Sequence, residues 1–224
     1  MSTSFSNERA LILDFGGVIS KTLFETHAET EAALDLRPGT LTWRGPFEPD
    51  SDPLWQDMLA DKVSEREYWR IRTREVGQLV GKDWQEMYEF VQAARGAEPD
   101  KVIRPEAIDA INAARAAGCK LAILSNELDL FYGKAFRQKL GFMQYFDVIS
   151  DATYTNILKP DPRAYQSCLD ALGLKASQCV FVDDQLRNIT GAQAMGLNTV
   201  HFSFMTPAKC YAEALYQLGI AAHN

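Results

Sequence analysis

Hydrophobic residues fall along this chain in two textures. Residues 10–13 are a short continuous apolar run, Ala-Leu-Ile-Leu, which closes on Asp14 and runs into a Gly16-Gly17 turn. An uninterrupted run of this length is what a strand buried on both faces requires, as in a parallel sheet. The same texture returns at residues 120–124, 146–149, 179–182 and 198–202. Helical patterns lie between these runs, with clear punctuation. Pro105 opens a helix that Gly118 closes, and Gly141, Gly173, Gly196 and Gly219 follow four more. From about residue 100 onward, helix and strand alternate. That alternation predicts an α/β fold, a parallel sheet with helices on both faces.

Residues 20–100 have the other texture. Trp43, Trp55, Trp69 and Trp84 all fall here, as do Pro38, Pro46, Pro49 and Pro53, and no strand pattern is visible. Helices are expected at about 26–36, 54–62, 65–80 and 83–95. Ser64-Glu-Arg-Glu67 reads as a capping box, and Asp83-Trp-Gln-Glu86 as a similar one. Residues 37–53 read as an irregular loop, and Gly96-Ala-Glu-Pro-Asp-Lys101 as a return linker. The expected organisation is a core domain of residues 1–19 and 101–224, interrupted by a helical cap of residues 20–100.

Composition narrows the classes of function. The chain has 224 residues, 46% hydrophobic and 24% charged, which excludes disordered and fibrous classes. Its net charge of −7 argues against a nucleic-acid binder or a binder of anionic membranes, while leaving room for a small anionic ligand in a locally positive pocket. No apolar run approaches the ~20 residues of a membrane span. The polar segment from Met1 to Arg9 lacks the layout of a secretory signal, so a cytoplasmic protein is expected. Cys119, Cys168, Cys179 and Cys210 form no Cys-x-x-Cys pair and read as reduced thiols. His27, His201 and His223 show no metal-binding spacing.

In an open α/β sheet, ligands bind beyond the carboxyl ends of the strands. The first apolar run ends at Asp14, the second at Ser125-Asn126 and the fourth at Asp183-Asp184; Lys159 lies in Leu158-Lys-Pro-Asp-Pro162, just before a helix. Taken singly, each has an ordinary structural use: an Asp after a strand forms turns or caps a helix, Ser-Asn is loop material, and Lys-Pro is surface. Together they place three carboxylates, a hydroxyl and an ammonium on one sheet edge. That set suits magnesium-dependent phosphoryl transfer. Mg²⁺ takes carboxylate and phosphate oxygens, a carboxylate can act as nucleophile, and Lys with a hydroxyl neutralises phosphoryl oxygens.

The order and spacing of these motifs resemble the haloacid dehalogenase superfamily, a group dominated by phosphatases. The resemblance rests on Asp14-Phe-Gly-Gly-Val18, Leu124-Ser-Asn126, Lys159-Pro-Asp-Pro162 and Val182-Asp-Asp184, with a helical cap inserted after the first. It implies a Rossmann-like sheet in strand order 5-4-1-2-3. It further implies Asp14 as nucleophile and magnesium ligand, the Gly16 carbonyl and Asp184 as further ligands, and Asp183 ligating or orienting the metal. Ser125 and Lys159, helped by Asn126, would hold the phosphate, and Asn188 would position Lys159 or metal-bound water. Family phosphatases usually carry Asp-x-Asp in the first motif, the second Asp being the general acid. Here that position is Gly16, as in some active phosphatases of the family.

The reading implied is a Mg²⁺-dependent phosphatase of small phosphorylated metabolites, a monomer or homodimer. Two rivals stand beside it: a metal-free 2-haloacid dehalogenase, and a degenerate member that binds a phosphorylated ligand or a partner protein without turnover. Asp183-Asp184 argues against the dehalogenase, because extra carboxylates beside the nucleophile repel an α-halo carboxylate. Glu25, His27 and Glu127 are candidates for the missing acid, and Arg44 and Trp43 for substrate contact. Arg70, Arg72 and Arg74 are spaced two apart, so the three do not all share one helix face.

Overall fold

A five-stranded, all-parallel sheet in the order β3-β2-β1-β4-β5 carries the fold. Its strands are β1 (Ala10–Leu13), β2 (Lys120–Ser125), β3 (Val148–Asp151), β4 (Cys179–Asp183) and β5 (Asn198–His201). This is the expected order read from the other edge. The structure, a computed structural model, describes residues 8–220. Most of the polar N-terminal segment, and His223, lie outside the described residues.

The chain divides into two compact units. One comprises the described residues of Met1–Lys21, Ile103–Leu128 and Gly141–Asn224, the other Thr22–Val102 and Asp129–Leu140.

In the first unit the central strands are wholly apolar inside: Leu11, Ile12, Leu13, Ala122, Ile123, Val180, Phe181 and Val182 are each no more than 1% exposed. Edge strand β3 starts two residues later than its apolar run suggests. Asp147 is occupied just ahead of it, its amide donating to the Leu121 carbonyl and its carboxylate accepting from the Leu121 amide. Polar Ser150 is half-buried at this edge, and the buried Asp151 carboxylate accepts from the Thr153 amide at 2.9 Å.

The helices, in chain order, are α1 (His27–Ala33), α2 (Pro53–Leu59), α3 (Glu65–Leu79), α4 (Met87–Arg95), α5 (Pro105–Ala116), α6 (Leu128–Tyr132), α7 (Lys134–Lys139), α8 (Ala152–Thr155), α9 (Pro162–Leu172), α10 (Leu186–Ala194) and α11 (Pro207–Gln217). Pro occupies the first turn of α5, α9 and α11, where its missing N–H costs nothing. Asp161 caps α9 by accepting from the Arg163 amide, and Gly173 ends it with a left-handed φ of 68°. No helix of the described residues is long and apolar enough to cross a membrane.

In the second unit α1 and α2 stop short of their expected ends, because Asp35 (φ 54°) and Asp61 (φ 55°) turn left-handed just beyond them. Ser64 does cap α3, its hydroxyl accepting from the Glu67 amide at 3.1 Å. The Asp83 box does not form. Glu89 accepts from the amides of Gln85 and Glu86, both at 2.9 Å, so the box closes three residues later and α4 begins at Met87. Residues 129–140, which follow the second motif, group with this helical unit: Phe131 meets Trp69 at 5.4 Å, and Gln92 donates to the Tyr132 carbonyl at 2.8 Å.

Candidate active site

The sheet register sets the site. Leu13 of β1 is level with Ile123 of β2 and with Val182 of β4, so Asp14, Asp183 and, one residue further along, Ser125 fall at the same end of the sheet. Asp14 follows β1, held by its amide donating to the Val182 carbonyl at 2.9 Å. Ser125 closes β2 and Asp183 closes β4. All lie in the first unit, as do Asn126, Lys159, Asp184 and Asn188.

Lys159 is the hub. Its ammonium donates to Asp14 Oδ1 at 2.9 Å, Asp183 Oδ2 at 2.7 Å and the Leu124 carbonyl at 2.7 Å. Three donors meet three acceptors, so the ammonium orients Asp14 and leaves no N–H pointing elsewhere. Burial alone would favour the neutral amine, but Asp14 and Asp183 reverse that and hold Lys159 firmly protonated. Asn126 holds the backbone of this residue. Its Oδ1 accepts from the Lys159 amide at 2.7 Å and its Nδ2 donates to the Lys159 carbonyl at 3.1 Å. Asn126 is thus turned toward Lys159, where the sequence suggested a phosphate contact.

Asp183 is fully buried and saturated. Oδ1 accepts from the Gln185 amide at 2.8 Å, Asn188 Nδ2 lies 3.1 and 3.2 Å from its two oxygens, and Lys159 takes Oδ2. Asn188, expected to position Lys159 or metal-bound water, braces Asp183, the carboxylate that Lys159 also binds. Its own carbonyl accepts from the Tyr165 hydroxyl at 2.8 Å. Asp184, less buried, has its main-chain carbonyl 3.0 Å from His201 Nε2. Ser125 is buried, with Oγ 3.5 Å from the Glu127 amide.

Asp14, Asp183 and Asp184 bring carboxylate oxygens within 4.8 Å of one another. Three carboxylates against one ammonium leave the cluster with a surplus of two negative charges. Burial, with the Asp183 charge adding to it and Lys159 opposing, lifts the Asp14 carboxyl to about 6. An all-oxygen donor set with a twofold negative surplus fits a hard divalent cation such as Mg²⁺. The Gly16 carbonyl suits the same role, since within the described residues it accepts no hydrogen bond.

Two of the acid candidates, Glu25 and His27, belong to the second unit. Glu25 accepts from the amide and hydroxyl of Thr22 at 2.8 and 3.0 Å. His27 is buried with its ring edge-on to Trp43 at 4.4 Å; burial and then Arg44 push its pKa down to about 4. Trp43 is itself buried, and the half-buried Arg44 lies 3.5 Å from Glu48. Arg72 is buried, bound to Asp52 and Glu75 at 2.6 Å each, whereas Arg74 lies beside Glu67 at 3.9 Å.

A family model described as haloacid dehalogenase-like hydrolase matches residues 8–196. The chain is 28% identical over 218 residues to acyl-CoA dehydrogenase family member 10 of Mus musculus, covering 96% of this chain and 20% of that protein. It is 33% identical over 93 residues to phosphatase MT3486 of Mycobacterium tuberculosis, covering 42% of this chain and 43% of that one. It is 34% identical over 110 residues to (S)-2-haloacid dehalogenase 1 of Pseudomonas sp., covering 49% of this chain and 48% of that one. The chain thus spans between a fifth and a half of the length of these curated relatives. Among solved structures, a HAD phosphatase from Thermococcus onnurineus superposes with a TM-score of 0.52 at 20% identity, covering 87% of this chain and 86% of that one.

Proposed function

Because the chain belongs to the haloacid dehalogenase-like hydrolases, we propose that it is a Mg²⁺-dependent phosphatase of small phosphorylated metabolites, working through an aspartyl-phosphate on Asp14. The observation that carries this reading is the cluster of Asp14, Asp183 and Asp184 around a single ammonium, Lys159. A 2-haloacid is itself a carboxylate, and three carboxylates with one ammonium repel it. A phosphate ester is admitted once a divalent cation balances the surplus.

Asp14, Asp184 and the Gly16 carbonyl would hold the metal, with Asp183 steadying the cluster from behind through its contacts to Lys159, Asn188 and Gln185. When bound, Mg²⁺ supplies the positive charge that lets one anion approach another. Asp14, fixed by Lys159, attacks phosphorus as the bond to the leaving oxygen breaks and that oxygen departs with the electron pair. Ser125 donates to a phosphoryl oxygen. Water then attacks the phosphorus of the aspartyl-phosphate, the bond to Asp14 breaks, phosphate leaves and the water proton passes to solvent.

Phosphate release from a metabolite panel, with Mg²⁺ and with EDTA, tests this reading alongside chloride release from 2-chloropropionate. Metal-dependent phosphate release supports it. EDTA-resistant chloride release establishes the dehalogenase instead, and tight phospho-ligand binding without turnover establishes the degenerate member.

Two mutations sharpen the reading. Asp184→Ala is expected to weaken Mg²⁺ binding by more than ~10-fold, because the ion keeps few direct protein contacts. Titration calorimetry measures this, and wild-type affinity in the mutant would reduce Asp184 to a turn residue. Gly16→Asp supplies the family's usual acid. A Cβ on Gly16 would meet no atom within 4 Å, and the left-handed residue of the turn is Gly17 (φ 82°), so the side chain fits without strain. Wild-type turnover is expected to fall steeply with leaving-group basicity, and Gly16→Asp to raise alkyl phosphates by ~10²-fold while changing aryl phosphates little. A flat dependence in the wild type would mean that an acid is already in place.

A further inference from the structure

The turn after Asp14 contains two adjacent glycines, Gly16 and Gly17, the most flexible link a backbone can have. Its carbonyls are nonetheless almost all taken. Phe15 O accepts from the Ser20 amide at 2.9 Å and Ile19 O from the Arg104 amide at 3.0 Å. Gly17 O accepts from both Nε and Nη2 of Arg104, at 3.2 and 3.0 Å. Val18 O accepts from the Tyr211 hydroxyl at 2.9 Å. In the run from Phe15 to Ile19, only the Gly16 carbonyl accepts nothing from the described residues.

The two side chains that hold this turn form a buried unit of their own. Arg104 and Tyr211 are 4% and 3% exposed. The Arg104 guanidinium stands 5.4 Å from the centre of the Phe202 ring, and Tyr211 packs edge-on to the same ring at 5.3 Å. The Phe202 amide donates to the Asp183 carbonyl at 2.8 Å. Arg104, Phe202 and Tyr211 thus connect the turn after β1 to the end of β4, the two segments that carry the carboxylate cluster. Burial keeps the Tyr211 phenol protonated, so it remains a donor. A forked guanidinium on one carbonyl and a phenol on the next fix the orientation of two successive peptide planes directly after Gly16.

We propose that Arg104 and Tyr211 are positioning residues for the divalent cation: by holding the Gly17 and Val18 carbonyls they fix the Gly16 peptide with its carbonyl free to serve as the metal's backbone ligand. This rests on the Mg²⁺-dependent reading above. Preorganising a ligand raises affinity by removing the cost of ordering it on binding, and a Gly-Gly link is where that cost is greatest.

The test is calorimetric titration of Mg²⁺ into the full chain as wild type, Tyr211→Phe and Arg104→Lys. Tyr211→Phe keeps the ring on Phe202 and removes one donor. Arg104→Lys keeps the charge and loses the fork. Each is expected to weaken Mg²⁺ by ~3–10-fold, the worth of about one buried hydrogen bond. Saturating Mg²⁺ is expected to restore turnover, and amides 15–20 to exchange hydrogen faster in the metal-free variants. A merely structural role would lower the melting temperature and leave Mg²⁺ affinity as in wild type. Unchanged affinity in folded Tyr211→Phe therefore overturns the proposal, whether or not Arg104→Lys folds. If the wild type shows no saturable Mg²⁺ binding, the metal-dependent reading fails and this inference with it. Wild-type binding with unaltered variants sinks this inference alone.

Discussion

Asp14→Asn should reduce phosphate release by ~10⁴-fold or more, because it removes the attacking oxygen anion. The substitution keeps the shape of the side chain, so the fold and the Lys159 contacts to Asp183 and Leu124 persist. It also changes stability in a definite direction. Burial, then Asp183, lift the Asp14 carboxyl from 3.8 to about 6 in the metal-free fold. Its protonated form is the one the fold prefers. The stability gained from this group is therefore full below about pH 4, where the free carboxyl is protonated as well, and is lost as pH rises from there through about 6, on the order of 3 kcal/mol in all. Asn carries no such charge. Relative to metal-free Asp14→Asn, the metal-free wild type should therefore lose stability as pH rises from about 4 to about 6 and keep a constant deficit above that, His27 being common to both proteins. Turnover that survives the substitution would end the nucleophile assignment, and a wild-type pH slope in the mutant would place the buried charge elsewhere.

The strands were legible because burial on both faces leaves only one solution, a continuous apolar run, and the residue ending each run then falls on the same sheet edge. Asp14, Ser125 and Asp183 could be read that way from the chain alone. The edge strand β3 was less legible, since at half-buried positions its composition no longer reports its register. In the helical unit the ends of α1 and α2 depended on Asp35 and Asp61 adopting left-handed backbone, which Asp tolerates without advertising.

Roles within the site were legible only to the extent that charge dictated them. Asn126 is next to Ser125 in sequence, which suggests a shared task, yet both ends of its amide are taken by the backbone of Lys159, 33 residues away. Asn188 reaches Asp183, five residues back across the start of α10. Arg104 and Tyr211 gave no signal. An Arg before a helix-opening Pro and a Tyr inside an amphipathic helix are common, and their function depends on two main-chain carbonyls that sequence cannot show.

Lys159→Met should produce the largest loss of stability in the metal-free protein, and its dependence on conditions identifies the cause. The ammonium lies 2.9 Å from Asp14 and 2.7 Å from Asp183, with its side chain 1% exposed. Met fills nearly the same volume, so packing survives and the change isolates the charge. Two buried carboxylates then face each other uncompensated, which costs ~3–5 kcal/mol by analogy with other broken buried pairs. The cost depends on Asp14 being ionised. With Lys159 present its carboxyl already titrates at about 6, and without Lys159 it moves higher. The deficit against wild type should thus be small near pH 5, where Asp14 takes up a proton, and should grow toward pH 8. Mg²⁺ offers the missing positive charge to the same carboxylates, so adding it at pH 8 should recover much of the loss. Turnover should remain low with Mg²⁺ present, because Asp14 has lost the contact that orients it. Urea unfolding at pH 5 and pH 8, each with Mg²⁺ and with EDTA, gives the four numbers needed. A deficit independent of both pH and metal would show that Lys159 matters for packing, and that the carboxylates it joins are not the charged centre on which the mechanism depends.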